Sequence, residues 1–411
     1  MTPNGLALKA ALCLALLMST PAMAGPRAYS LPELEEITLK VHPGLRKARE
    51  EVRKNEAELR IAKQYPNPEV EFEGGNQRER FGTESGLTYA AALSQTVEWP
   101  GRRAKKQEAA RFGIDSARKL VSNEELTVIA RLRELFYVVL ADEQFVKVAR
   151  ENLDSAKQLL DLVEKRVRLG ESRQIELIKA QVEFYTLERE YEKARTTLAG
   201  DRQVLNRFLL ENLPADFALS SKFTSLDEAI PLTRWREAAL AVHPLLAAQN
   251  AALRQAESTL SAERQAWVPE VKLKFFHTLE IDQRTTGGGI SLPLPLWNRK
   301  GGEVDKAAAA RRQAAAELGL TRQELETKLA AQHSLYMVAR RQVESFQKNI
   351  LPQAAESLRL AEFTYRQGET GLLELLDSRR VYRTTESDYY QALLDYWQAR
   401  TELWRIAGGG V

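Results

Sequence analysis

The chain has 411 residues, with 59 basic and 56 acidic side chains and a net charge of +3. That balance excludes an ordinary nucleic-acid binder, which carries a clear basic excess. Charged residues make up 28% and Ala and Leu are frequent, a composition that suits long helices better than a compact α/β enzyme.

The N-terminus reads as an export leader. Lys9 supplies the positive region, Ala10 to Met18 an apolar core, and Ala22-Met23-Ala24 a small-residue cleavage site, so the mature chain is expected to start at Gly25. The apolar run is too short for a spanning helix, which needs about 20 residues. Cys13, the one cysteine, lies inside this leader and follows Leu12, where a lipoprotein signal needs Gly or Ala. The mature chain is therefore expected to carry neither a disulfide nor a lipid. No later segment is apolar for long enough to span, so any membrane passage falls to strands closed into a barrel.

The mature chain is written twice. Leu39-Lys40-Val41-His42-Pro43 recurs as Leu240-Ala241-Val242-His243-Pro244, and Pro68-Glu69-Val70 recurs as Pro269-Glu270-Val271. Further on, Arg168-Leu169-Gly170-Glu171-Ser172 matches Arg366-Gln367-Gly368-Glu369-Thr370, and Ile175-Glu176-Leu177-Ile178 matches Leu373-Glu374-Leu375-Leu376. Order and Pro/Gly punctuation are both preserved, as in a true repeat. The expected units are residues 25–210 and 233–411, joined by a turn-rich linker at 211–232.

In chain order, a helix is expected over 44–65, started by Pro43 at a position where a missing N–H costs little and stopped by Pro66 and Pro68. Strands follow at 69–76 and 87–97. Glu69-Val70-Glu71-Phe72-Glu73 alternates strictly, which places Val70 and Phe72 on one face and three carboxylates on the other. Leu87, Tyr89, Ala91 and Leu93 share one face of the next strand. Helices are expected over 101–169 and 173–210. From Arg102 to Leu169 the first has Gly113 as its only Gly or Pro and would extend roughly 100 Å. The second half is expected to repeat this plan, with a helix at 245–266, strands at 270–278 and 288–296, and helices at 301–367 and 371–407. Pro293 and Pro295 in the last strand are unusual for a central position.

The Gly-rich segments 74–86 and 282–289 read as exposed loops. Trp99, Trp267 and Trp297 flank the strands, as an aromatic girdle or as core. Apolar-out, charged-in strands fit an outer-membrane barrel, and equally two soluble hairpins with one wet face each. Four strands cannot close a barrel, since about eight is the practical minimum, so a spanning barrel requires several chains. Leu153, Leu160, Val163 and Val167 on one helix, with Leu177, Val182, Tyr185, Leu187 and Tyr191 on the next, mark coiled-coil packing or a plain bundle.

The whole pattern resembles the TolC-like outer-membrane efflux factor family. The turn motifs Arg168-Leu169-Gly170 and Tyr365-Arg366-Gln367-Gly368, with the apolar-acidic segments after each, carry the resemblance across residues 30 to 407. Gln95-Thr96-Val97-Glu98-Trp99-Pro100-Gly101-Arg102-Arg103 is similar to the strand-to-helix junction of its heavy-metal branch, the CzcC-like (cobalt-zinc-cadmium) proteins. The resemblance implies a mainly α chain with membrane β structure. A homotrimer would share a twelve-stranded β-barrel in the outer membrane, joined to a periplasmic α-helical barrel of coiled-coil hairpins. It also implies a passive exit duct for heavy-metal cations, working with a periplasmic adaptor and an inner-membrane pump of the resistance-nodulation-division type. Neither a cofactor nor nucleic acid is implied, and outer-membrane lipid is the expected surrounding.

On that resemblance, Arg168, Gly170, Glu171, Arg366, Gly368 and Glu369 form the adaptor-docking tips. Glu374 and Asp377, one helical turn apart on one side, match acidic positions that line the periplasmic aperture. Threefold symmetry would gather six carboxylates there, a ring that favours cations; a solvated helix face reads the same in sequence. The first half has Glu176 and Lys179 at these positions. Tyr365 and Glu176 match family positions that tie the inner hairpin to the outer one, while Thr370 stands where the founder has a gate arginine. A periplasmic adaptor or a duct for drugs or secreted proteins remain alternatives, although the β-domains that flank an adaptor hairpin are not evident.

Nothing points to catalysis. His42, His243, His277 and His333 form no pair at metal-ligand spacing, and His42 and His243 precede helix-starting prolines, which favours a structural role. No phosphate loop, dinucleotide fingerprint or nucleophile elbow appears. Met337 is the only mature methionine, so a methionine track for copper is missing.

Overall fold

The structure is a computed structural model and describes residues 28–78, 85–214, 216–221, 223 and 225–410. The expected leader and the middle of the 74–86 loop lie outside the described residues.

The elements run β1 (Ala28–Ser30), α1 (Leu31–Val41), α2 (Pro43–Lys63), β2 (Glu69–Arg78), β3 (Ser85–Val97), α3 (Pro100–Arg168), α4 (Gln174–Phe208), β4 (Ala218–Ser220), α5 (Leu232–Val242), α6 (Pro244–Arg264), β5 (Val271–Leu279), β6 (Arg284–Ser291), α7 (Gly301–Ser345), α8 (Leu351–Gln367) and α9 (Leu372–Ile406). The short helices α1 and α5 were not anticipated. Each ends at a histidine with extended backbone, because the following proline ring disfavours α geometry in the residue before it. Those histidines then start the next helix. The Nδ1 of His42 accepts from the Gly44 N–H at 3.2 Å, and the Nδ1 of His243 accepts from the Leu245 N–H at 3.1 Å.

Both imidazoles must stay neutral to accept, and burial lowers their affinity for protons, that of His243 to about 4. An unfolded His243 titrates near 6.5, so between about pH 6.5 and 4 the unfolded state binds more protons. Stability is then full above pH 6.5 and falls on acidification, by about 3 kcal/mol for this group. His243→Asn keeps the helix-capping acceptor and removes the titration. The thermal midpoint of that variant is expected to lose much less between pH 7 and pH 4.5 than that of the natural protein.

β2, β3, β5 and β6 form one antiparallel sheet in that order, so the two hairpins are joined through β3 and β5. The fourth strand is displaced from its expected span. It runs 284–291 rather than 288–296 and ends before Pro293, since two prolines in five residues remove ladder donors. A separate parallel pair joins β1 to β4, and Tyr29 of β1 packs into the main core.

The helical part is built on α3, an unbroken helix of 69 residues, roughly 100 Å long. Gly113 is tolerated in its middle because packing is close there: a Cβ would lie 3.0 Å from Asn55 Oδ1 and 3.1 Å from Gln255 Nε2. The matching run in the second half, expected as one helix over 301–367, is not uniform. It holds a π-helical turn at Phe346–Ile350 between α7 and α8. Pro352 lies just beyond, and a proline ring inside a helix collides with the carbonyl four residues back; widening the preceding turn relieves that collision.

The main core sits at the equator, around Leu34, Phe136, Trp235, Tyr336 and Tyr396. A second, small core lies towards the far end of the hairpins, around Leu159, Val163, Ala180, Tyr365, Leu372 and Leu375.

The repeat exposes one local strain. α9 ends on Gly408 and Gly409, both with positive φ (79° and 77°), and α4 ends at the matching Leu210 and Glu211 with φ of 54° and 58°. Left-handed backbone costs a residue with a Cβ roughly 1 kcal/mol. Glu211 is solvent-exposed, so Glu211→Gly is expected to leave packing intact. It should raise stability by about 0.5–1 kcal/mol, seen as a higher thermal unfolding midpoint.

Candidate functional site: the hairpin tips and the charged side of the sheet

Each helical hairpin turns on a glycine. Gly170 and Gly368 take φ of 79° and 80° with open space around them, so conformation rather than crowding demands glycine. The same bond pattern closes both ends: the Glu171 N–H donates to the Arg166 carbonyl at 2.8 Å, and the Glu369 N–H to the Thr364 carbonyl at 3.0 Å. This is the helix stop that uses a left-handed residue just past the end. It leaves Arg168, Glu171, Arg366 and Glu369 exposed at the two ends. Leu169 is also exposed, at 73%.

Tyr365 lies in the small core at 3% exposure. Its hydroxyl is buried without a hydrogen-bond partner, and the Arg166 guanidinium sits 5.1 Å from the ring centre. Burial raises its phenol above the ordinary value; the Glu176 charge adds to this, and Arg166 and Arg379 oppose it. Tyr365 and Glu176 are thus neighbours, yet no hydrogen bond joins them among the described residues. Thr370, at the expected gate position, turns inward and meets the Thr364 hydroxyl at 3.0 Å.

Glu374 and Asp377 are both exposed on the first turns of α9. The structure adds a counter-ion that the sequence reading left out. Arg380 lies 2.6 Å from Asp377 in an exposed pair. The expected cluster of carboxylates is therefore partly offset, to a net charge of −1 over Glu374, Asp377 and Arg380.

Two further arginines join the hairpins. Arg379 on α9 donates to Glu362 on α8 at 2.8 Å and to the Ser155 carbonyl on α3 at 3.1 Å. Arg383, one turn on, is paired with Glu183 on α4. A signal was present in the sequence: at the matching positions the first half carries Gln181 and Tyr185, so both arginines are private to the second half.

At the other end, the sheet has two unlike faces. The register places Val70, Phe72, Leu87, Tyr89, Leu93, Leu273, Phe275 and Ile290 on one side, and all of these large apolar residues are exposed. The opposite side carries Glu69, Glu71 and Glu73 of β2 with Lys272 and Lys274 of β5. Trp99, Trp267 and Trp297 are exposed near the helical end of the sheet, Trp297 at 93%. Among the described residues no helix is long and apolar enough to cross a membrane. Nor does any group of three His, Cys, Asp or Glu among them have the geometry of a metal site.

The sequence pattern of the family described as "Outer membrane efflux protein" matches the chain twice, over residues 35–209 and 235–409. The cobalt-zinc-cadmium resistance protein CzcC of Cupriavidus metallidurans is 25% identical over 93% of this chain and 92% of its own length. The pyoverdine export outer membrane protein OpmQ of Pseudomonas putida is also 25% identical, over 93% of this chain and 87% of its own. Crystal structures of CusC share the fold with a TM-score of 0.78 at 19% identity, covering 92% of each chain. The open-state MtrE outer membrane channel of Neisseria gonorrhoeae matches with a TM-score of 0.73 at 20% identity, over 92% of this chain and 89% of that one. An adaptor is set aside by the same match. The chain belongs to the outer membrane efflux protein family: it is an outer-membrane efflux channel protein with a periplasmic helical extension, and not an enzyme.

Proposed function

We propose that three copies of the chain form the exit duct of a tripartite pump that expels heavy-metal cations. The observation that carries this reading is the sheet. One side is apolar and exposed, the other is charged, and its two edges, β2 and β6, are unpaired in the single chain. Such edges seek partners, and four strands cannot close alone. β6 runs antiparallel to β2, so the edge of one copy can pair with the opposite edge of the next. Three copies close twelve strands with the apolar side towards lipid.

Each repeat, 25–210 and 233–411, then supplies one strand hairpin and one helical hairpin. The tips at Arg168, Gly170, Glu171 and at Arg366, Gly368, Glu369 meet the periplasmic adaptor, which links the duct to a pump of the resistance-nodulation-division type. Glu374 and Asp377 line the periplasmic aperture, and Tyr365 and Glu176 belong to its packing. The cobalt-zinc-cadmium resistance for which CzcC is named, the similarity at the 95–103 junction and the acidic aperture favour metal cations as cargo. OpmQ's role in pyoverdine export shows that the same architecture serves other cargo in a relative.

Deleting the gene is expected to lower tolerance to zinc, cobalt or cadmium, with tolerance restored by the natural chain; unchanged metal tolerance with lost drug tolerance would overturn the cargo assignment. Replacing Glu374 and Asp377 together with Asn leaves Arg380 uncompensated and reverses the local charge. In planar bilayers this variant is expected to lose several-fold in cation-over-anion permeability. An unchanged reversal potential would remove these residues from the pore lining.

A further inference from the structure

We infer that Glu73 is the ion-selecting residue of the β-barrel lumen, separate from the aperture at the helical end. The inference rests on the trimeric barrel proposed above.

Lys272 reaches Glu69 at 2.6 Å and Lys274 reaches Glu71 at 2.6 Å. These pairs are not between neighbouring strands, because β3 lies between β2 and β5. They span two strand spacings, about 10 Å, which a lysine and a glutamate can bridge only if the strand beneath presents small side chains. β3 does so: Ala90, Ala92 and Ser94 face the same side, and Ser94 is covered to 1% exposure. The two rungs repeat with one separation of 203 residues.

The third rung breaks the rule. Its carboxylate is Glu73, and the residue that would answer it is Phe276. Phe276 cannot pair; its ring lies instead over Gly287 of β6, where an added Cβ would come within 2.8 Å of it. Glu73 is exposed and has no ion pair among the described residues. Every other residue on this side of the four strands is either in one of the two Lys–Glu pairs or uncharged: Gly75, Gln77, Gly86, Thr88, Thr278, Thr285, Gly287 and Gly289 among them. Over the described residues of the four strands, the net charge of this side is therefore −1 per chain, located at Glu73. In a trimer the three carboxylates form a ring, with two self-neutralised rungs on its periplasmic side. Ions of like sign in such a ring are screened only over about 8–10 Å, so the ring favours cations and opposes anions.

The test uses the full-length trimer in planar bilayers under a salt gradient. Two substitutions in this wall push in opposite directions. Glu73→Gln removes the unpaired charge and is expected to lower the cation-over-anion permeability ratio about threefold. Lys274→Gln frees Glu71 and is expected to raise the ratio, which a purely structural role would not do. Both are also made with Glu374 and Asp377 as Asn, so that the aperture does not mask the barrel. If both variants form pores whose reversal potential equals that of the natural chain, Glu73 is not the selecting residue while the channel reading stands. If the natural chain forms neither detergent-resistant trimers nor pores, the trimeric barrel fails and this inference with it.

Discussion

Replacing Arg379 by Ala is expected to release the second helical hairpin from the first and to raise the single-channel conductance several-fold. Arg379 is only 18% exposed and joins three helices: its own, α8 through Glu362, and α3 through the Ser155 carbonyl. Removing it strands Glu362, whose other cation, Arg366, lies 4.0 Å away and is 73% exposed. Two charge-assisted bonds are lost at once, and such bonds are stronger than neutral ones. Only the bond to the Ser155 carbonyl crosses to the first hairpin, so the docking balance loses about 1.5 kcal/mol, a factor of roughly 10 between docked and undocked hairpins. Lysine should rescue poorly, because it lacks the planar fork that serves two acceptors. Arg383 and Glu183 continue the tie one turn further, so Arg379→Ala with Arg383→Ala should exceed either alone. Equal conductance in all of these variants would show that the hairpins are held elsewhere.

The largest effect on assembly is expected from the sheet. Phe72 is 79% exposed on the apolar side, where the trimeric reading places lipid. Phe72→Arg would put one guanidinium per chain into hydrocarbon, at about 2–4 kcal/mol each near the bilayer midplane. In a closed trimer the burden is threefold, and heat-modifiable trimers in the outer-membrane fraction should fall to a small remnant. Gln77→Arg is the matched control, since Gln77 belongs to the opposite side, which the trimeric reading turns towards the lumen. It should assemble normally. Equal loss in both variants would mean that strand disruption, not lipid exposure, was measured, and equal assembly would argue that this side of the sheet does not meet lipid.

The duplication, the long hairpins and the two faces of the sheet were legible in the sequence because each is a matter of period or punctuation. Alternation at two sets the faces of a strand whatever surrounds it. A Gly-anchored stop marks a hairpin tip, and it did so at both Gly170 and Gly368. The two tips occupy matching positions of the repeat, whereas an adaptor-docking role for them and an aperture role for Glu374 and Asp377 are what the family resemblance implies.

Other features depended on what one element meets in another. The end of β6 at Ser291 follows from prolines that period alone did not outweigh. The π turn at Phe346–Ile350 follows from Pro352 inside a helix that packing keeps continuous. The Asp377–Arg380 pair halves an acidic cluster that spacing alone had left bare. The ties from Arg379 and Arg383 run between residues far apart in sequence, and only the neighbour brought close by folding decides whether an arginine is a solvated charge or a clasp.

Sequence by itself determined the repeat, the helix and strand periods, the glycine turns and the placement of opposite chemistries on the two sides of each strand, because these are set by residues within a few positions of one another. Tertiary structure alone decided which charges are paired, and that is the property on which the proposed ion selectivity rests. Lys272 and Lys274 reach over a strand of small residues to Glu69 and Glu71, while Phe276 stands where a third lysine would answer Glu73, since charge compensation is fixed by distance in space.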